Sequence, residues 1–323
     1  MNKKEELINK IENIEDPNLN IMVFTNLLGE EFKYSRFPEK LDDLYEIGSA
    51  SKMFTSLSIF ILMERGTLNI EDPISNYLTE DHKNLLMVEG FDYSTVTIKS
   101  VLNHTSGIGE HLNSGDDENL LTQLMKENKE FILEDMIKMA KENPLLKFKE
   151  PHTGFQYSNI GYILLGKVIE FVSKKSYKDF IRENIFKKLG MDNSLFISDN
   201  SNDPRILKGT FLRNPSNMIP SLAQAAGEII SNLEDMKKFL SSVWNEELVS
   251  RNTLDIILKS IEDSPVNFGY GFYKENNLIG HGGQTFGFLT KSFYNPDNKE
   301  FLLIAINEAE SKEEMNEITK LIV

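Results

Sequence analysis

The sequence predicts a mixed α/β (α+β) fold: a sheet built from both chain ends, plus a mainly helical insert. Three observations lead there. Strand-like segments cluster near the two termini, apolar runs at helical spacing fill the middle, and 323 residues at 40% hydrophobic content can enclose one large core or two subdomains. The expected division is residues 1–68 with 222–323 for the sheet and residues 69–221 for the helical part.

Taken in order, residues 5–14 read as a short amphipathic helix. Residues 19–25 and 31–34 read as strands joined by a turn at Gly29. A helix is expected over 52–65, burying Phe54, Leu57, Ile61 and Leu62, and Gly66 is a natural terminator. Loops rich in Asn, Asp and Gly fall near 113–117 and 200–204. Ser231-Asn232-Leu233-Glu234 reads as a capping box opening a helix with Leu233, Met236, Phe239 and Leu240 at helical spacing. Residues 270–273, 287–294 and 301–306 read as strands, and 311–322 as a closing helix. There is no repeat of 20–50 residues.

The net charge of −15 repels nucleic-acid phosphates and anionic lipid, so neither is an expected partner. It leaves room for an anionic substrate in a locally positive pocket. Without cysteine there are no disulfides and no thiol chemistry. Lys3 and Lys4 are not followed by an apolar signal core, and the runs at 57–63 and 160–165 are too short to span a bilayer. The expectation is a soluble, cytoplasmic chain with no membrane partner; the oligomeric state is not legible. The histidines at 82, 104, 111, 152 and 281 form no ligand pattern, so no metal is expected and no cofactor is implied. No Gly-x-Ser-x-Gly, Gly-x-x-x-x-Gly-Lys-Ser/Thr or Gly-x-Gly-x-x-Gly motif occurs.

Ser49-Ala50-Ser51-Lys52 is the sole Ser-x-x-Lys in the chain. Residues i and i+3 of a helix share a face, and a serine hydroxyl becomes a nucleophile when a neighbouring base takes its proton. Lysine can be that base if its surroundings lower its pKa. Alone, the pattern is as readily a surface Ser and Lys at a helix start. Two further motifs change the balance. Tyr157-Ser158-Asn159 offers a phenol for proton transfer and an amide to hold substrate; without function it is a polar loop entering a core helix. His281-Gly282-Gly283 lies between strand-like segments; without function it is a glycine turn. His152-Thr153-Gly154 also fits His-x-Gly, but it precedes Tyr157 and is discounted.

In this order the three motifs resemble the serine β-lactamase and penicillin-binding-protein superfamily, in its class C branch, which also holds DD-peptidases, D-aminopeptidases and esterases. Met63 to Ile74, Thr97 to Ile108, and Ala226 to Ser231 with Asp235-Met236 are similar to connecting segments of that family. The resemblance runs from about Glu46 to Leu303. It implies the β-lactamase/transpeptidase-like fold, an antiparallel sheet flanked by helices plus a mainly helical inserted subdomain, with the site in the cleft between them.

It also implies a serine hydrolase working by acyl transfer. Ser49 attacks, Lys52 and Tyr157 share the proton transfers, and sequence does not say which is the base. The backbone N–H groups of Ser49 and Gln284 form an oxyanion hole. Asn159 holds a substrate amide and orients Lys52. Gly282 and Gly283 let their strand approach the substrate. His281 stands where β-lactamases usually have lysine, so a fixed positive charge is missing. If His281 meets a carboxylate, affinity should rise as the imidazole protonates near its reference pKa of about 6.5. The expected substrates are small amides or esters, a peptidase or esterase activity. A true β-lactamase or DD-carboxypeptidase is the alternative, and a non-catalytic penicillin- or peptide-binding sensor is the rival from another class.

Overall fold

The computed structural model describes residues 2–112, 130–143, 145–216 and 218–323. Its strands are β1 (Ile21–Thr25), β2 (Phe32–Ser35), β3 (Tyr45–Glu46), β4 (Leu195–Phe196), β5 (Gly209–Phe211), β6 (Asn214–Ser216), β7 (Ile229–Ser231), β8 (Tyr273–Glu275), β9 (Leu278–Gln284), β10 (Leu289–Tyr294) and β11 (Phe301–Ile306). The main sheet has the order β2-β1-β11-β10-β9-β8 and is antiparallel throughout. Both chain ends therefore supply it, as the sequence predicts.

Both faces of this sheet are covered, so its central strands are apolar on both sides. Ile21, Val23, Leu302, Ile304 and Ile306 pack against Leu7, Ile11, Met315, Ile318 and Ile322 of helices Lys3–Glu12 and Lys312–Ile322. Met22, Phe24, Phe301, Leu303 and Ala305 alternate to the opposite face and join the large core. Helix Ser51–Glu64 belongs to that core and is buried from Ser51 to Leu62, not on one side only. Its hydroxyls are satisfied internally: Ser58 bonds Phe54 O (2.8 Å) and Ser56 bonds Tyr270 O (2.7 Å). The helix stops where Gly66, at φ 71°, takes the left-handed position.

Several boundaries differ from expectation for local reasons. The first helix spans Lys3–Glu12, because Asn2 and Glu5 form a capping box. The box expected at Ser231–Glu234 is replaced by a cap one residue later: Asn232 accepts the N–H of Asp235 (2.9 Å), while Ser231 ends β7. Residues 270–272 do not pair as a strand. Gly271, at φ 76°, presses on the Ser51–Glu64 helix so closely that a Cβ would lie 2.7 Å from Ser56 Cβ. β10 starts at Leu289, not 287, since residues 285–288 form a turn. The strands β4, β5 and β6 within 69–221 were not anticipated; each is two or three residues long, too short for a periodic signal. The Asn/Asp-rich loop expected at 113–117 lies outside the described residues.

Candidate active site

Ser49 lies in a 3-10 turn, Gly48–Ala50, that runs directly into the Ser51–Glu64 helix. Residues i and i+3 nearly eclipse in such a turn, which brings Lys52 Nζ to 3.0 Å from Ser49 Oγ. Tyr157 precedes helix Asn159–Ser173, which Ser158 caps by accepting the N–H of Gly161 (3.0 Å). Tyr157 Oη donates to Ser49 Oγ at 2.9 Å. Asn159 Oδ1 lies 2.6 Å from Lys52 Nζ. The structure thus brings Ser49, Lys52, Tyr157 and Asn159, which are spread over residues 49–159 of the sequence, into one hydrogen-bonded group.

Lys52 has a third partner, the carbonyl of Ala226 at 2.9 Å. Helix Pro220–Gly227 is broken at Gln224 (φ 38°, ψ −132°), a strained conformation for a non-glycine residue. Just after the break, the carbonyl of Ala225 accepts from Thr55 (2.6 Å) and that of Ala226 from Lys52. Burial pushes Lys52 down to about 7, against the pull of Glu110 in the other direction. Tyr157 is driven the opposite way, upward, chiefly by its own burial.

His281 sits inside β9 and not in a turn, paired with Ser292 of β10. It is buried, its Nδ1 meets the Gly282 carbonyl, and its ring packs against Tyr273, Phe268 and Tyr157 at 5.2, 5.6 and 6.4 Å between centroids. Burial first, and Lys52 second, push the imidazole down to about 3. The free site thus holds His281 neutral at pH 7, which argues against the expected pH-linked capture of a carboxylate near 6.5. His152, discounted from sequence, lies elsewhere, with its ring Nε2 at 3.0 Å from Thr95 O.

The glycines beside His281 serve close packing. A Cβ on Gly283 would fall 2.0 Å from Ile47 O, and one on Gly282 2.9 Å from Tyr273 Oη. Gly283 thus admits the turn that carries Ser49, rather than serving substrate approach alone. The Gln284 backbone follows: a Cβ on Gly48 would lie 3.1 Å from Gln284 N. The main chains of the nucleophile turn and of Gln284 therefore run side by side.

Sequence reasoning missed Glu110, His104 and the Ala226 carbonyl. Glu110 is 2% exposed; its carboxylate accepts the N–H groups of Asn159 and Leu112 and faces His111 Nδ1 at 3.0 Å. Those hydrogen bonds and His111 outweigh burial and hold its carboxyl below the usual range. His104 Nδ1 accepts the N–H of Ser158 (3.1 Å), and its ring lies 4.3 Å from that of Tyr157. Both residues come from the His104–Glu110 stretch, which carries no chemical spacing motif of its own. A cavity of about 670 Å³ opens onto Ser49, Tyr157, Asn159, Glu110, His281 and Gln284. Its wall is largely apolar, with Leu112, Leu146, Leu222 and Phe286. Among the described residues no helix is long and apolar enough to cross a membrane.

Known proteins share this arrangement of chain. Penicillin-binding protein 4* of Bacillus subtilis is 26% identical over 308 residues, covering 88% of this chain and 65% of that protein. This chain thus spans about two thirds or less of the curated relatives it matches. The crystal structure of D-amino acid amidase from Ochrobactrum anthropi SV3 superposes with a TM-score of 0.78 at 21% identity, covering 97% of this chain and 98% of the other. The octameric penicillin-binding protein homologue from Pyrococcus abyssi superposes with a TM-score of 0.73 at 25% identity, covering 94% and 72%. The beta-lactamase family model matches residues 23–323, and with that match over most of its length this chain belongs to the beta-lactamase family.

Proposed function

We propose that this protein hydrolyses small amides or esters through an acyl-enzyme on Ser49, as a peptidase or esterase of the class C-like branch, and that Lys52 is the base. The observation that carries the reading is the partner set of Lys52. A neutral amine has two N–H groups and one lone pair. The Asn159 Oδ1 and Ala226 O atoms, at 2.6 and 2.9 Å, can only accept, so they take the two N–H groups. The lone pair is left for the Ser49 hydroxyl proton at 3.0 Å. A pKa near 7 makes that form available at neutral pH. Tyr157, held protonated by burial, donates to Ser49 Oγ and is placed to pass a proton to the leaving group.

In the proposed cycle Ser49 Oγ bonds to the carbonyl carbon while its proton passes to Lys52 Nζ. The N–H groups of Ser49 and Gln284 receive the oxyanion. The intermediate collapses with protonation of the leaving amine or alcohol, and water then cleaves the acyl ester and restores Ser49. The cavity is lined by charges of both signs, Lys291 and Lys312 as well as Glu110 and Glu310, but the one that is buried, beside Asn159, is the carboxylate of Glu110, and the His281 ring is neutral; that end of the cavity favours a neutral or cationic substrate group over an anionic one. That supports amides or esters of amino acids bearing a free amine, over β-lactams, whose carboxylate has no fixed cation at His281. The amidase and the penicillin-binding proteins named above mark the two ends of this range. The division into residues 1–68 with 222–323 and residues 69–221 belongs to the same proposal.

The test compares turnover of a D-amino acid amide, a 4-nitrophenyl ester and benzylpenicillin. Faster turnover of the amide or ester than of the penicillin supports the reading. Efficient penicillin hydrolysis with neither of the others cleaved refutes it, and covalent labelling without any turnover points to a sensor.

A further inference from the structure

Glu46 lies three residues before Ser49, on β3, and is 1% exposed. Its carboxylate is buried with two donors aimed at it: Thr285 Oγ1 at 2.5 Å on one oxygen and the Met218 N–H at 2.9 Å on the other. A buried carboxylate is costly unless it is bonded, and burial pushes Glu46 up to about 7 in spite of these two donors. Nothing in the proton transfers above uses it.

Thr285 follows Gln284 directly. Its hydroxyl oxygen accepts from the N–H groups of Gly287 (3.1 Å) and Phe288 (3.0 Å), and its own N–H donates to Phe288 O (2.9 Å). With both lone pairs engaged, the hydroxyl proton has Glu46 as its acceptor. The methyl of Thr285 lies 3.0 Å from the position a Cβ would take on Gly48. One residue earlier, Thr290 Oγ1 of β10 reaches Ile47 O at 3.3 Å. The segment that presents Ser49 is thus tied to Thr285, next to the Gln284 N–H, and to Thr290 on the strand paired with Gly283, and Glu46 is the ionisable member of these ties.

We propose that Glu46 is a positioning residue: by holding Thr285 it sets the distance between Ser49 and the main-chain N–H of Gln284, and so aligns the oxyanion-binding pair. The proposal rests on the acyl-transfer reading. An oxyanion donor is worth most at the place where charge develops, and removing one costs roughly 10²–10³-fold in kcat. A donor displaced by part of an ångström should lose a fraction of that, about 10-fold or more, with substrate binding little altered.

The experiment measures kcat and KM for 4-nitrophenyl acetate and for its thionoester, in the wild type, Thr285→Val, Thr285→Ser, Glu46→Gln and Ser49→Ala. Thr285→Val is nearly isosteric and keeps the protein testable should Glu46→Gln fold poorly. Thiocarbonyl sulfur accepts hydrogen bonds weakly, so a displaced oxyanion donor should slow the oxygen ester far more than the thionoester. The expected result is a fall of about 10–100-fold in kcat for the ester in Thr285→Val and Glu46→Gln. KM should stay within about 2-fold, the ester-to-thionoester ratio should shrink about 10-fold, and Thr285→Ser should restore it. Equal losses on both substrates, or a wild-type ratio in folded Thr285→Val, overturn the positioning role and leave the hydrolase reading standing. Turnover that survives Ser49→Ala unchanged overturns the hydrolase reading, and this proposal with it.

Discussion

The carbonyl oxygen of Ala226 lies 2.9 Å from Lys52 Nζ. On the proposed mechanism this contact separates two roles that sequence left merged. With Asn159 Oδ1 it uses both N–H groups of a neutral lysine and turns the lone pair toward Ser49. Tyr157, close to the same oxygen but driven up in pKa by burial, is left as the proton donor.

Lys52→Ala and Tyr157→Phe should each slow acylation by about 10²–10⁴-fold, the usual range for general acid–base groups. The two residues share one proton path, so the double variant should lose less than the product of the single losses. Pre-steady-state acylation rates would check this; strictly multiplicative losses would mean that they do separate work.

The pH profile follows from the buried groups. Lys52 acts as a base only when neutral, and its pKa is lowered to about 7. Acylation should therefore rise with pH through about 7 and level off above it. Glu46, raised to about 7, ionises over the same range and acts in the same direction. His281, lowered to about 3, should add no limb near 6.5. The profile of kcat/KM in His281→Asn should thus keep its midpoint; a midpoint that moves away with the imidazole would return His281 to a titrating role.

Glu110 gives a test of substrate charge. Its negative charge also raises the pKa of Lys52. Glu110→Gln should shift the acid limb to lower pH, and it should narrow the preference for substrates with a free amine over their N-acetyl analogues. Paired KM measurements on an amino acid ester and its N-acetyl form would show the second effect. An unchanged ratio would mean that the amine, if recognised, is held elsewhere.

Gly283→Ala should destabilise the protein by about 1–3 kcal/mol, the usual cost of overpacking, because the new methyl meets Ile47 O, 2.0 Å from the ideal Cβ. Activity should fall as well, since Ile47 leads into the Ser49 turn. Denaturant titration of the folded variant measures the first effect; unchanged stability would mean that β9 can move away without cost.

The legible part of this molecule was what short spacing or strand periodicity encodes. Ser49 and Lys52 meet because i and i+3 always do, and β1 and β11 show as apolar runs because both faces of the sheet are covered. The order of the three motifs let Tyr157 and Asn159 be placed with them. Glu110, His104 and the Ala226 carbonyl were hidden because their importance arises from folding. A carboxylate six residues past His104 looks like any surface glutamate until Asn159 is found donating to it. A backbone carbonyl has no side-chain letter at all. His281 was found but misjudged: its type is visible in sequence, whereas the aromatic rings that keep it neutral come from Tyr157, Phe268 and Tyr273. The capping box at Ser231 failed by one residue because β7 claimed Ser231 first.

The central claim is that Ser49 carries the acyl group. Its most direct test is the hydrolysis rate of an activated ester by folded Ser49→Ala beside the wild type, with folding confirmed by circular dichroism. The account predicts turnover by the wild type and only the buffer rate for Ser49→Ala. Full activity in folded Ser49→Ala would contradict it, because neither Lys52 nor Tyr157 would then have a nucleophile to serve.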